Sequence, residues 1–232
     1  MKKVATAKIT IQTESGPGLI VANHSGVLPY DGVMINLAVR HEHPARRDVR
    51  MLALDMFALL PFLAPLLAKS GAVRASPENG ERLLGKGELV GVFPEGVKGV
   101  GKRYTDRYKL ARFGRGGFIR IALRTGSPII PCAVVGAEEI HPVVAKADWV
   151  GRPFGLPYFP ITPTFPMLGP LGVLPLPTKW SIDFADPIDL RSYGPEAADD
   201  PILVNRLSED VRSTIQGMID GRLARRRSVW FG

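Results

Sequence analysis

Cysteine is nearly missing from this 232-residue chain: Cys132 stands alone. An internal disulfide is therefore excluded, which suits a reducing compartment. Its setting in "PIIPCAVVG" makes Cys132 a buried, inert thiol rather than a nucleophile. No G-x-S-x-G elbow occurs, so the serine hydrolases that depend on one are set aside although Ser25 follows His24. The opening "MKKVATAKITIQTE" lacks the apolar run of a secretory signal. One stretch, "MLALDMFALLPFLAPLLA" (51–68), approaches the length of a bilayer span, but Asp55, Pro61 and Pro65 interrupt it. A core or interfacial helix is expected there. Internal repeats are absent, and the 25 glycines and 21 prolines follow no collagen-like period.

What is present describes one globular domain over 1–232, with a core at about 18–190 and a basic helical tail at 200–232. Apolar residues make up 45% of the chain and charged residues 22%, enough for a large core. The net charge of +8 favours anionic partners such as phospholipid headgroups or phosphorylated small molecules. Short apolar runs alternate with helical patterns. Strands are expected at "GLIVAN" (18–23), "DVRMLALD" (48–55), "ELVGVF" (88–93) and "PIIPCAVVG" (128–136), with a short strand or turn at "SGAVRAS" (70–76). Helices are expected from Asp31 to about 43, from Pro77 behind a Ser76 cap, and over 114–126 ending at Gly126. This alternation predicts an α/β fold: a mostly parallel central sheet flanked by helices.

Residues 153–177 break the pattern. Eight prolines lie among Phe, Leu, Tyr and Ile without a single charge. Neither a helix nor a central strand tolerates so many prolines. The expectation is an apolar Pro-rich loop that wraps the core or meets lipid. A last strand follows at 179–190. Then comes an amphipathic helix from about 200 with Leu203, Leu207, Val211, Ile215 and Ile219 on one stripe. Its end, "GRLARRRSVWFG", sets four arginines beside Trp230 and Phe231, a composition that suits a membrane surface or a solvated helix end.

Ligands of open α/β sheets sit at the carboxyl ends of the strands. Two polar clusters fall there. "VANHSGVLPYDG" (21–32) places His24 and Asp31 just past a strand; a histidine can serve as general base when a carboxylate fixes its tautomer. "VFPEGVKG" (92–99) places Glu95 at a second strand end. Two such clusters exceed what core packing needs.

These blocks, taken in order, resemble the glycerolipid acyltransferases, which include the lysophosphatidate acyltransferases. Asn23-His24 with Asp31, "SGAVRAS" with Arg74, "FPEG" at 93–96 and "IIPCAVVG" with Pro131 match the family's order of motifs over roughly 18–190. The His-to-Asp spacing departs from the common pattern: six residues intervene instead of four, and the extra two must bulge if Asp31 is to reach His24. In this the chain is most similar to the bacterial branch related to mono- and diacylglycerol acyltransferases. The resemblance implies transfer of a fatty acyl group from acyl-CoA or acyl carrier protein to a hydroxyl of a glycerolipid-type acceptor, without metal or other cofactor. His24 would be the base and Asp31 its orienting partner. Arg74, Phe93, Pro94, Glu95, Gly96 and Lys98 would bind substrate, and backbone amides near Gly26 or Gly96 would cradle the oxyanion. Lys102 and Arg103 would add positive charge at the same rim, toward CoA phosphates or the bilayer. The protein would lie peripherally on the cytoplasmic face of a membrane.

Three rivals remain. "GVKGVGKR" (96–103) is nearly a phosphate-binding P-loop, but Arg103 stands where Ser or Thr should ligate magnesium. Nucleic-acid binding fits the charge yet not the aromatics, which cluster in the Pro-rich loop instead of interleaving with basic residues. A non-catalytic peripheral lipid-binding protein is the alternative function.

Overall fold

The backbone bears out the α/β reading. The computed structural model describes residues 5–8, 15–25, 30–53, 71–151 and 159–232. Seven strands form one sheet in the order β1-β9-β6-β2-β5-β3-β4. They are β1 (Ala5–Lys8), β2 (Gly18–Ala22), β3 (Val49–Ala53), β4 (Val73–Arg74), β5 (Leu89–Val92), β6 (Ile129–Val135) and β9 (Trp180–Phe184). β2 pairs in parallel with both β5 and β6, and β3 pairs in parallel with β5 and β4. Among the described strands of this sheet, only β6 and β9 pair antiparallel, with Val135 opposite Ser181. The carboxyl ends of β2, β5, β3, β4 and β6 therefore share one rim, and β9 begins on that rim.

The strands are apolar on both faces because both faces are covered. Leu19, Val21, Val90 and Val92 point to one side. They pack there against α2 (Pro77–Gly85), α4 (Gly117–Thr125) and α6 (Pro201–Arg225). Ile20, Ala22, Leu89 and Cys132 point to the other, where α1 (Tyr30–Glu42) supplies Ile35, Ala38 and Val39. Two short helices, α3 (Val97–Val100) and α5 (Asp148–Gly151), complete the set described.

Local signals set most boundaries. Ser76 accepts the Asn79 amide and Pro77 opens α2. Asp200 accepts the amides of Ile202 and Leu203 to start α6. The α6 stripe is buried at Val204, Leu207, Val211, Ile215 and Ile219, so the expected Leu203 gives way to its neighbour Val204 and stays half-buried. Of the Pro-rich segment, residues 152–158 lie outside the described residues. Beyond them, β8 (Phe159–Ile161) pairs antiparallel with β7 (Ala145–Ala147), Lys146 opposite Pro160. A strand of a two-stranded ribbon has a free edge, which is where a proline is tolerated. The apolar stretch at 51–68 falls mostly within 54–70, outside the described residues. Among the described residues no helix is long and apolar enough to cross a membrane.

Candidate active site

Where β2 ends, the Asn23 side chain prolongs the ladder. Its Nδ2 donates to the Val134 carbonyl at 3.0 Å, and its Oδ1 accepts the Val134 amide at 2.7 Å. With the chain thus pinned to β6, the next residue is His24. Its Nδ1 lies 2.7 Å from Oδ2 of Asp31, the second residue of α1. The same oxygen accepts the Ser25 amide at 3.0 Å, and Oδ1 accepts the Gly32 amide at 2.8 Å. Asp31 is fully buried. A carboxylate with this set of donors fixes the proton on Nδ1 of His24 and leaves Nε2 with its lone pair. The longer spacing in sequence thus does not separate the pair. Residues 26–29 between them, Gly26 included, lie outside the described residues.

From the neighbouring strand, β5, comes the second block. The Phe93 ring stacks on the His24 imidazole, centroids 4.4 Å apart and 16° from parallel. Glu95 is buried and all its donors are internal: Oε1 accepts the His24 amide at 3.0 Å, and Oε2 accepts the Ala111 amide at 2.7 Å. The Lys102 ammonium sits 2.9 Å from that Oε2. Gly96 has φ +54° and ψ −141°, a conformation open only to glycine. Its amide donates to the Phe93 carbonyl at 3.0 Å. That amide is therefore engaged in the turn. Gly99 is constrained by space: a Cβ there would stand 2.8 Å from Cβ of both His24 and Glu95.

Lys102 also differs from expectation. It is not a surface charge awaiting phosphate, but is buried between two carboxylates, Glu95 and Glu138, the latter at 3.5 Å. This removes the P-loop reading, since the lysine of that motif is consumed internally. Arg103, by contrast, is exposed as expected. Glu138 follows β6 on the same rim and accepts the Tyr108 amide at 3.0 Å. Burial pushes its carboxyl up to about 7, against the pull of Lys102 and the Tyr108 amide and with the help of the Glu95 charge. Two buried carboxylates share one ammonium, so one proton completes the charge balance. Sequence reasoning passed over Glu138, although "VVGAEE" carries the same strand-end signal as the other two clusters.

This has a consequence for stability. A carboxyl raised from 4.5 to about 7 takes up a proton on folding within that window. Its contribution is complete below about pH 4.5, declines as the pH rises toward 7 and is flat beyond. The linked change is on the order of 3 kcal/mol. Urea unfolding of the wild type and Glu138→Gln at pH 5 and pH 8 measures it. The stability of the wild type relative to the variant is expected to fall between the two pH values, whatever constant offset the amide introduces. An unchanged difference would remove Glu138 as the titrating group.

Beside His24 opens an apolar cleft of about 280 Å³ over β3, β5 and α4, lined by Met51, Leu52, Val92, Phe93, Phe118 and Ile121 among others. Pro94 and Gly96 also line it, as do Ala72, Ala75 and Ser76, while Arg74 is exposed on the edge strand β4 and is not among its walls. On the far side of Gly114 lies a wider groove of about 660 Å³, bounded by Lys98, Arg112, Arg115 and Arg120. The two meet at the 94–96 turn, where the Gly114 amide donates to the Pro94 carbonyl at 3.1 Å. The arrangement offers an imidazole base, an apolar slot and a cationic groove side by side.

The fold is shared with the crystal structure of the 1-acyl-sn-glycerophosphate (LPA) acyltransferase PlsC from Thermotoga maritima. The TM-score is 0.56 and the identity 16%, over 97% of this chain and 73% of that one. Uncharacterized protein Rv0502 of Mycobacterium tuberculosis is 52% identical over 217 residues, 94% of this chain and 61% of the relative. Uncharacterized protein ML2427 of Mycobacterium leprae is 49% identical over 230 residues, 99% of this chain and 63% of the relative. The chain thus spans about three-fifths of the length of these relatives. The family model Acyltransferase matches residues 4–135, which carry His24, Asp31, Arg74 and the Phe93–Gly96 block, and the chain belongs to that acyltransferase family.

Proposed function

We propose that the protein transfers a fatty acyl group from an acyl thioester, CoA-bound or carrier-bound, to a hydroxyl of a glycerolipid-type acceptor, with His24 as general base. The observation that carries this reading is the 2.7 Å contact between His24 Nδ1 and the buried Asp31 carboxylate at the mouth of an apolar cleft. In the proposed step, Nε2 takes the proton of the acceptor hydroxyl as its oxygen attacks the thioester carbonyl. The tetrahedral oxyanion collapses, the C–S bond breaks, and the departing thiolate takes the proton back from the imidazolium. Ester and free thiol leave, and Asp31 stabilises the transient imidazolium throughout. No covalent acyl-enzyme and no cofactor enter this scheme.

The apolar cleft suits the acyl chain, with Phe93, Pro94 and Gly96 at its mouth. Lys98 and the arginines across Gly114 suit phosphate groups of donor or acceptor, since guanidinium forks donate in pairs. Arg74, at the edge of the rim, is assigned to the headgroup of the acceptor. Glu95 is assigned a different part from acceptor binding: with every bond directed at protein atoms, it positions His24. The protein is placed peripherally on the cytoplasmic face of a membrane, where its acceptor resides.

The test is direct. Purified protein is incubated with one acyl thioester and, separately, lysophospholipids, monoacylglycerols, diacylglycerols and long-chain alcohols. Ester formation stoichiometric with thiol release is expected for at least one glycerolipid. Vesicle binding without ester formation from any acceptor, using either CoA or carrier-protein thioester, would replace this reading with the lipid-binding module.

A further inference from the structure

The chain between β6 and β9 leaves the sheet at the catalytic rim and returns to the same rim, because those two strands are antiparallel. Its ends are tied there. The Leu176 amide donates to the Ile140 carbonyl at 3.0 Å, and the Thr178 hydroxyl donates to the Gly136 carbonyl at 2.8 Å. Near its start the excursion touches the site's own elements: the Tyr104 amide donates to the Val143 carbonyl at 2.9 Å, and His141 stacks on Tyr30 at the head of α1.

The loop that closes this excursion is built inside out. Its polar groups face inward. Thr162 is buried and its Oγ1 accepts the Phe165 amide at 2.9 Å, while the Thr164 hydroxyl donates to the Gly172 carbonyl at 3.2 Å. Amides of Leu168, Gly169, Leu171 and Leu174 all donate to carbonyls within the loop, and Pro163, Pro166 and Pro170 have no amide hydrogen to satisfy. Gly172 packs so closely on the Thr164 backbone that a Cβ would stand 2.4 Å from its carbonyl oxygen. Phe165 packs on Phe159, but four large apolar side chains face outward: Met167 is 83% exposed, Leu171 68%, Leu174 63% and Leu168 57%. Trp149 in α5, 79% exposed, belongs to the same excursion. The chain end joins it. The Lys179 amide donates to the Val229 carbonyl at 2.8 Å, so exposed Trp230 and Phe231 lie beside the start of β9, next to exposed Arg225 and Arg227.

Water does not favour such an arrangement, whereas the boundary between headgroups and acyl chains does. A segment entering that boundary must satisfy its own backbone polar groups, present apolar side chains outward, and set aromatic and cationic residues at the level of the headgroups. We infer that the loop over 162–174, with Trp149 and the Trp230–Phe231 end, is the membrane-docking face of this protein. Docking there turns the rim that carries His24 toward an anionic bilayer. The lipid nature of the partner rests on the acyl-transfer reading; the face itself rests on the packing just described. The net charge of +8 and the two arginines beside Trp230 match anionic headgroups in sign.

The test needs no acyl donor, so it is independent of whether transfer occurs. Wild type, His24→Ala and the triple variant Met167→Ser/Leu168→Ser/Leu171→Ser are sedimented with vesicles of equal parts phosphatidylglycerol and phosphatidylcholine. Wild type and His24→Ala are expected to partition alike. The triple variant should partition more weakly by on the order of a hundredfold, with its thermal melt unchanged, because its three side chains are already in water in the unbound state. Bromine on the acyl chains should quench wild-type tryptophan fluorescence, and Trp149→Phe should lose part of that quenching. Equal partitioning of wild type and triple variant overturns the inference. So does a wild type that ignores vesicles but is dimeric while the triple variant is monomeric, since the face would then join two copies of this chain.

Discussion

Replacing His24 with alanine is expected to slow acyl transfer by about 10²–10⁴-fold, the range a positioned general base supplies. Asp31→Asn is expected to fall in the same range although the imidazole remains. The carboxamide presents its oxygen on one side only: set toward His24 and Ser25, its nitrogen confronts the Gly32 amide, and turned the other way it donates to Nδ1 and moves the imidazole proton to Nε2. The decisive observation is the double variant. Two residues that act as one unit do not lose their contributions twice, so His24→Ala/Asp31→Asn should be no slower than His24→Ala alone. Additive losses would mean that Asp31 serves the reaction separately, or that both substitutions act by disturbing the fold. Circular dichroism and thermal melting of each variant distinguish the second case. The stacking of Phe93 on His24 makes some loss of stability unavoidable, but the surrounding sheet, pinned by Asn23, does not depend on the imidazole.

The same residues show what a sequence displays and what it hides. His24 and Glu95 are legible because a polar residue directly after a β-branched apolar run marks a strand end, and strand ends of a parallel sheet converge on one rim. Their partners are less legible. Asp31 reaches His24 because α1 begins at Tyr30 and turns its first acidic side chain back toward the strand it came from. Spacing alone, longer than the family's usual one, gave no reason to expect 2.7 Å. Lys102 was hidden altogether. In sequence it ends a basic, glycine-rich loop and looks solvated. In space it fills the gap between two carboxylates, one of them 36 residues further along. Only closure of the rim creates that gap.

Strand β1 escaped notice for a related reason. "ATAK" has no apolar run, and its parallel partner β9 lies about 175 residues away, Ala5 opposite Trp180. Edge strands need less hydrophobicity than central ones, so pattern is weakest where the sheet ends. The described part of the Pro-rich segment, 159–177, holds no α-helix and no strand of the central sheet. Strand β8 sets a proline in a two-stranded ribbon and the loop after it turns threonine hydroxyls inward, and neither leaves a periodic trace.

Glu95→Gln is expected to cost about 1–3 kcal/mol of stability, the usual penalty for leaving buried donors without an acceptor. All three groups that meet Glu95 are donors: the His24 amide, the Ala111 amide and the Lys102 ammonium. The carboxamide can accept on one side only, so its nitrogen must confront a donor on the other, and Lys102 is left with the more distant Glu138. Urea unfolding measures the loss. Activity separates the two roles open to this residue. If Glu95 holds His24 in place, kcat falls while the acceptor KM hardly moves; if it grips the acceptor, KM rises and stability is spared. Adding Lys102→Met to Glu95→Gln removes the ammonium that faces the carboxamide and leaves Glu138 without its counter-ion. The effect of the second change on stability should be more favourable at pH 6 than at pH 8, because the Glu138 carboxyl, already raised by burial, can answer the loss of the ammonium by taking up a proton at the lower pH. A stability difference between the two variants that does not change with pH would show that Lys102 and Glu138 do not share their charges in this cluster.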